Sequence, residues 1–454
     1  MSKGSATMAR SVRKAYWNAY TLWHVRGEAK LPFRPLEEIT AIQNRRVRAI
    51  VAHAYDSVPH YREVMDAARM HPRDFRTAAD LAFLPILTSG ELPSDPSRFL
   101  SRRYANGRAL KLQSSGTSGF SKPIFYNAAA LFLTLAHGHR QRHVIARFVG
   151  RQFGYREMRL AREGAVPFQI RKFYEANSWV PRRVDLERSQ ASPGERFDDT
   201  IARLNAFKPE VVHGYGSHVG ALFRHAAQHG LALHRPLCVT YGADRMADAD
   251  RTLIENDFGV PIVSTYQAAE SLRIGFQCEE RKAFHLSIDH AAVRVVDASG
   301  NPVAPGARGE IVISNLVNRA SVLLNYKLGD VVTLAAAPCA CGRTLPTIEA
   351  IEGRADDFLF LEGGHKMHGL VALAPLLGVD GVVQVQLTQN ETRRFSLRVV
   401  CAHDKQWERV HHDLDTALRS LFGLASVIEI ERTETIAPEA SGKFKSVISH
   451  CRPS

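Results

Sequence analysis

Hydrophobic and polar positions change period several times along this chain, and each change marks an element. Residues 10–29 carry Val12, Tyr16, Tyr20 and Trp23 at three-to-four spacing, which predicts a helix with Arg10, Arg13, Lys14 and Arg26 beside an aromatic stripe. A second helical pattern covers residues 35–54 and ends at Ser57-Val58-Pro59-His60-Tyr61, where proline interrupts it. Residues 81–92, with Pro85 inside, read as a link. Leu110-Lys111-Leu112 and Ile124-Phe125-Tyr126 alternate with period two and predict strands on either side of a run of serines and glycines. Residues 128–149 predict one further helix. From about residue 200, short apolar runs such as Val211-Val212-His213-Gly214-Tyr215 and Leu237-Cys238-Val239-Thr240-Tyr241 each follow an amphipathic helix. That alternation predicts an α/β fold with parallel strand pairing.

Length extends this picture. A chain of 454 residues has room for a large core and more than one domain. With 23% charged and 45% hydrophobic residues, it reads as an ordinary soluble protein. No apolar run has membrane-spanning length and the N-terminus lacks a secretory apolar core, so a cytoplasmic location without integral membrane contact is expected. The basic aromatic segment 10–29 has two readings, a membrane-surface helix or a stripe packed on the protein or on a second subunit of a homodimer, and packing is the commoner outcome. The formal charge of +13 suits phosphorylated small molecules as well as nucleic acid, but no nucleic-acid module accompanies it. Residues 150–196 hold Arg151, Arg156, Arg159, Arg162, Arg171, Arg182, Arg183 and Arg188 and read as a variable, partly exposed segment.

The candidate chemistry begins at Ser114-Ser115-Gly116-Thr117-Ser118-Gly119-Phe120-Ser121-Lys122-Pro123. Such a loop offers backbone N–H groups and hydroxyls to an anion, and Lys122 adds a positive charge. It is not a Walker loop, because no Gly-Lys-Ser/Thr closes it and no helical pattern starts there. His137, His139 and His143 do not share one helical face and make a poor ligand set. Four later stretches change the weight of the loop. Ser264-Thr265-Tyr266-Gln267-Ala268-Ala269-Glu270 ends a strand at Pro261-Ile262-Val263, and Asn325-Tyr326-Lys327-Leu328-Gly329-Asp330 presents an acid in a glycine turn. Gly353-Arg354-Ala355-Asp356-Asp357 precedes a charged hairpin, and Ser441-Gly442-Lys443 lies near the end. Separately, Cys278 and His285 are followed by Cys339-Ala340-Cys341, a set of three thiols and one imidazole that suits a closed tetrahedral zinc site. The bland alternative is two unrelated turns with reduced thiols.

Taken together with Ala54-Tyr55-Asp56-Ser57-Val58-Pro59-His60-Tyr61-Arg62, Leu84-Pro85-Ile86-Leu87-Thr88, Lys208-Pro209-Glu210 and Cys339-Ala340-Cys341-Gly342-Arg343-Thr344, these motifs resemble the adenylate-forming superfamily over nearly the whole chain. Within it they resemble the phenylacetate–CoA ligase and capsule-biosynthesis (CapK-like) branch. The resemblance implies a large N-terminal adenylation domain, residues 1–356, with mixed sheets and flanking helices, and a small α+β C-terminal domain, residues 357–454. It implies that Ser114, Ser115, Gly116, Thr117, Ser118, Gly119 and Lys122 close over the phosphates of ATP. Asp244, Tyr266 and Gln267 belong to the nucleotide-binding set, with Tyr266 near adenine. Asp330 accepts from the ribose hydroxyls beside Arg354, and Glu270 holds Mg²⁺. Asp356 is the hinge, and Lys443 bridges the substrate carboxylate and the α-phosphate. Relatives with a structural zinc at matching positions favour Zn²⁺ at Cys278, His285, Cys339 and Cys341. The implied activity is ATP-dependent activation of a carboxylic acid, aryl or arylacetic by analogy, and transfer to coenzyme A. Transfer to a carrier-protein thiol or an amine is the alternative within the class, and a non-catalytic nucleotide-binding relative in capsule assembly is the alternative outside it. Gln267 and Ala269 stand where relatives carry glycine and a hydroxyl residue, and Asn325 where many carry arginine, so the carboxylate pocket is expected to differ.

Overall fold

In the computed structural model, which describes all residues except 1–2, 89–90, 92–94, 114–121, 162–165, 180–187, 193–194, 355–357, 363–365, 402–405, 438–444 and 452–454, the chain opens with three helices. They are α1 (Lys3–Val25), α2 (Leu36–Ser57) and α3 (Pro59–Ala67). Pro59 ends the second helical period, as expected, but also starts α3 from its first turn, where a missing N–H costs nothing. The aromatic stripe of α1 divides. Trp17 stacks on Phe132 at 4.7 Å, while Met8, Val12, Tyr16 and Trp23 face outward.

The hairpin β1 (Leu110–Gln113) and β2 (Pro123–Tyr126) flanks the Ser/Gly run, as the alternation predicts. Residues 128–149 are two helices rather than one, α4 (Ala128–His137) and α5 (His139–Val149). Gly138 separates them because Arg273 crosses there, and a Cβ at this position would stand 2.9 Å from its guanidinium. The arginine-rich segment is not a peripheral excursion. It supplies β3 (Glu157–Leu160), α6 (Val166–Asn177) and β4 (Arg188–Ala191), which complete one edge of the main sheet.

That sheet has two halves. In the first, β4, β3, β5 (Val211–Tyr215), β6 (Cys238–Gly242) and β7 (Ile262–Tyr266) lie side by side and parallel. Helices α7 (Phe197–Phe207), α8 (Gly216–Gln228) and α9 (Asp248–Asn256) link them, as parallel pairing requires. In the second half, β8 (Gly275–Gln277), β9 (Phe284–Leu286), β10 (Ala291–Val296), β11 (Arg308–Asn315), β12 (Tyr326–Leu334) and β13 (Thr347–Arg354) pair antiparallel, in the order β7-β8-β9-β13-β12-β11-β10. The acid of the expected glycine turn, Asp330, sits instead inside the continuous strand β12, where Gly329 absorbs a φ of +83°.

The C-terminal part forms a hairpin, β14 (Phe358–Phe360) and β15 (Lys366–His368), then α10 (Gly369–Leu377) and α11 (Trp407–Phe422). These pack against a four-stranded sheet of β16 (Val382–Glu391), β17 (Arg394–Cys401), β18 (Val427–Arg432) and β19 (Val447–Ser449). Leu359, Leu376, Val385, Phe395 and Leu414 belong to its own apolar core, separate from the cores of the main sheet. Arg224 of α8 holds Asp250 at 2.8 Å and donates to the Val383 carbonyl at 2.6 Å. No helix among the described residues is long and apolar enough to cross a membrane.

One buried ionic network ties the helical layer to the sheet. Arg140 of α5 donates to both Asp289 carboxylate oxygens at 2.9 Å and to Glu28 at 2.8 Å, all three side chains being buried. Arg46 of α2 donates to the Asp289 carbonyl, and Gln43 to that of Ile288 at 2.8 Å. Burial alone would raise the Asp289 carboxyl, but Arg140 outweighs it and holds the group well below the usual carboxylate range. Burial dominates at Glu28, which is raised. Removing one partner of a buried network leaves an uncompensated charge at a cost of about 3–5 kcal/mol. Arg140→Met is therefore expected to lower unfolding stability by roughly that amount in denaturant titrations, and a loss below about 1 kcal/mol would mean the network holds nothing together.

Candidate functional site

The parallel strands end, and the antiparallel half begins, at Tyr266. Strand curvature brings the far part of the sheet back over this point. Tyr266 donates its hydroxyl to Asp330 at 2.6 Å, although 64 positions separate them and four strand steps lie between β7 and β12. Asp330 pairs across β12–β13 with Arg354, whose backbone, but not its side chain, is described. Lys122 is buried just before β2 and donates to the Tyr326 hydroxyl at 3.2 Å, four residues before Asp330 on β12.

The loop after Tyr266 is stapled from below. Asn315 donates to the Glu270 carbonyl at 3.0 Å, and Tyr126 of β2 donates to that of Ala269 at 2.8 Å. Burial raises the Tyr126 phenol well above its ordinary value, and the neighbouring Glu270 charge adds to this. The phenol thus stays a neutral donor. Asn318 continues the staple, donating to the carbonyls of Phe125 at 2.8 Å and Ser321 at 2.9 Å. Gln267 folds back to donate to the Thr265 hydroxyl at 3.1 Å. Asp244 accepts from the Ser217 hydroxyl and from the backbone N–H groups of Gly216 and Ser217, and so caps α8. Asn325 has φ +55°. Its amide donates to the Leu84 carbonyl at 2.6 Å and its oxygen accepts from Arg294 at 2.6 Å. Its side chain is fully engaged in holding the chain.

Of the expected site residues, Tyr266, Gln267 and Glu270 lie at and just after the end of β7, Lys122 just before β2 and Asp330 inside β12, while Asp244 follows the end of β6. The loop at 114–121, the hinge residue Asp356 and Lys443 lie outside the described residues. Sequence reasoning missed Asn315 and Asn318, although the spacing Asn315-Leu316-Val317-Asn318 is a turn signal. Tyr126 and Tyr326 carry no such signal, since both sit in ordinary apolar strand runs.

Cys278, His285, Cys339 and Cys341 form a second cluster, with one ligand atom from each lying within 4.8 Å of the others. The Cys278 and Cys339 sulfurs are 3.7 Å apart, and Cys341 Sγ is 3.3 Å from His285 Nε2. Burial pushes the Cys278 thiol up to about 12, and burial with the nearby Arg343 holds His285 at about 4. Arg343 is itself buried, paired with Glu279 at 2.8 Å and stacked over Phe33 at 4.6 Å. Thr344 donates its N–H to Pro32 at 2.8 Å. The cluster therefore joins the β8–β9 turn, the 339–344 turn and the segment after α1.

With this geometry in place, comparison with known proteins gives three findings. No family model matches the chain. The phenylacetate–coenzyme A ligase of Thermus thermophilus is 27% identical over 351 residues, covering 74% of this chain and 75% of that protein. Protein CapK of Staphylococcus aureus is 20% identical over 426 residues, covering 92% and 91%. Among solved structures, 2-hydroxyisobutyryl-CoA ligase in its postadenylation state superposes with a TM-score of 0.70 over 91% of this chain and 90% of that one, at 16% identity. At that identity the likeness speaks for the fold.

Proposed function

Because the chain belongs to the adenylate-forming ligase superfamily, in the branch of phenylacetate–CoA ligases and CapK, we propose that it condenses a carboxylic acid with ATP to an acyl-adenylate and passes the acyl group to the thiol of coenzyme A. The observation that carries this reading is the Tyr266–Asp330 pair. An aromatic ring and a carboxylate, locked together at the strand ends, are what a nucleoside needs: a face for the base and an acceptor for two ribose hydroxyls. In this reading Arg354 flanks the ribose, Glu270 holds Mg²⁺ through carboxylate oxygen, and residues 114–119 with Lys122 receive the phosphates. Gln267 and Asp244 close the nucleotide pocket, and residues 357–454 move about Asp356 as a separate domain. Lys443 then enters between the carboxylate and the α-phosphate, where two anions must approach and a cation lowers the barrier.

The Cys₃His cluster is assigned to a structural zinc. The fit is geometric: arms of about 2.0–2.3 Å give tetrahedron edges of about 3.3–3.8 Å, the range of the two measured separations. It is also electrostatic, since three thiols gathered in a buried site deprotonate together only around a cation. All four positions are filled by side chains, so the ion would have a role in folding and none in the chemistry.

Four experiments test these assignments. ATP–pyrophosphate exchange across a panel of carboxylic acids should reveal at least one activated acid. Asp330→Ala should weaken ATP binding by about tenfold or more, for the loss of charge-assisted hydrogen bonds. Exchange with no acid, in folded protein, would remove the proposal. Lys443→Ala should depress adenylation by about a hundredfold while sparing thioester formation from supplied acyl-adenylate, and equal loss of both steps would make the lysine structural. Purified protein should contain about one zinc per chain. Cys339→Ser should lose metal and melt earlier, whereas metal-free protein with an unchanged melting curve would refute the assignment.

A further inference from the structure

The arginine-rich segment leaves charges that nucleotide binding does not use. Glu157 and Arg159 on β3, Arg188 on β4 and His213 on β5 share one face of the sheet, because Glu157 pairs with Arg188 and Arg159 with His213 in register. His213 donates or accepts at Thr240 of β6, 2.6 Å away. That face is covered by α5, which contributes Gln141 and Arg142, and Arg273 reaches it from the loop beyond Glu270. Arg159, Arg188, His213, Gln141, Arg142 and Arg273 each keep part of their surface accessible, while Glu157 and Thr240 are buried.

Four guanidinium groups meet a single carboxylate here among the described residues. Glu157 accepts from Arg159, with Arg188 at 4.0 Å. Arg142 is spent on the Gln152 carbonyl and the Phe153 ring. Arg188 Nε is buried without a hydrogen-bond partner among the described residues. Arg273 makes one side-chain hydrogen bond there, to Gln141 at 3.3 Å, and has no carboxylate within ion-pair distance among the described residues. Burial and then repulsion from Arg142 and Arg159 lower the Arg273 guanidinium, with the Tyr174 phenol opposing them. At Arg188, burial leads and Arg171, Arg159 and Arg142 add repulsion, so that despite Glu157 the group is pushed down to about 10. Cations held this close are stabilised by an anion beyond Glu157, and the described residues supply none.

The position of the cluster says which anion. His213 and Arg159 lie two residues below the row of Tyr215, Gly242 and Thr265, on the same face of strands that end beside Tyr266. At about 3.3 Å per residue this is about 7 Å, the reach of one small ring or a short chain from the strand ends. Building on the acid activation proposed above, we propose that the acid carries a second anionic group, and that Arg273, Arg188 and Arg159 receive it on this face of the sheet. An uncharged aromatic acid would leave Arg273 without a carboxylate and Arg188 Nε without an acceptor among the described residues, and so be disfavoured.

The test compares phenylacetate, 4-carboxyphenylacetate and its neutral isostere 4-carbamoylphenylacetate in ATP–pyrophosphate exchange with the full chain. The dicarboxylate should be used about tenfold or more efficiently than the amide, for one charge-assisted pair. Arg273→Gln should abolish that preference by raising KM for the dicarboxylate while changing the amide by less than about threefold. Arg188→Gln should act in the same direction if Arg273→Gln does not fold, and the comparison in the unaltered protein needs neither variant. Equal use of all three acids, or a preference for the uncharged ones, would overturn the second-anion site and leave acid activation standing. Exchange with none of a wider panel of mono- and dicarboxylic acids would overturn both.

Discussion

The buried Arg140–Asp289 pair is the contact on which the site's geometry depends. It joins the first turn of α5 to the turn between β9 and β10, and through Glu28 and Arg46 it reaches the segment after α1 and the middle of α2. His137 and His290 stack beside it at 3.8 Å, both driven well below their ordinary values by burial first and by the surrounding arginines next. They stay neutral, so the network carries no surplus cation at that point. Bidentate geometry matters here, because a single hydrogen bond would let α5 pivot over the sheet. With two, the spacing between α5 and the parallel strands is set.

Above that layer, the sheet does the positioning. Its parallel half ends at β7, where crossover helices give way to hairpins. The antiparallel half then twists round far enough to return Asp330 to Tyr266. Gly329 supplies a left-handed backbone where the pairing of β12 with β11 shifts register, just before its pairing with β13 begins at Asp330. Asn315 and Asn318 do for the loops what the sheet does for the strands. Between them they satisfy carbonyls at Glu270, Phe125 and Ser321, which belong to three separate segments.

Much of this architecture is legible in the hydrophobic pattern. The first two helices, the hairpin around the Ser/Gly run and the alternation after residue 200 all follow from local periodicity, which depends only on near neighbours. Residues 128–149 read as one helix in sequence because the break at Gly138 comes from Arg273, more than a hundred positions away. Residues 150–196 read as a variable, partly exposed segment because their arginines mask β3 and the edge strand β4, whose apolar members are few. Tyr266, Asp330 and Glu270 are found through motif resemblance, while Arg140, Glu28 and Asp289 are not found at all. Nothing in a run of charged residues says which will be buried, since that is decided by partners distant in sequence.

The cysteine cluster links the two ends of the antiparallel half. His285 pairs directly with Thr347, the first residue of β13, and Phe284 with Ile348. From there β13 runs seven positions to Arg354, which pairs with Asp330. Only two register pairs hold β9 to β13, and β12–β13 itself carries two irregularities, between Val331 and Val332 and between Thr333 and Leu334. A strand so loosely paired is prone to slip, and a slip of one residue would change which residue of β13 pairs with Asp330. Three thiols and an imidazole that meet within 4.8 Å resist that slip at its origin, because His285 cannot shift along β13 without leaving them. The cluster lies away from Tyr266, yet it helps decide which residue of β13 faces Asp330.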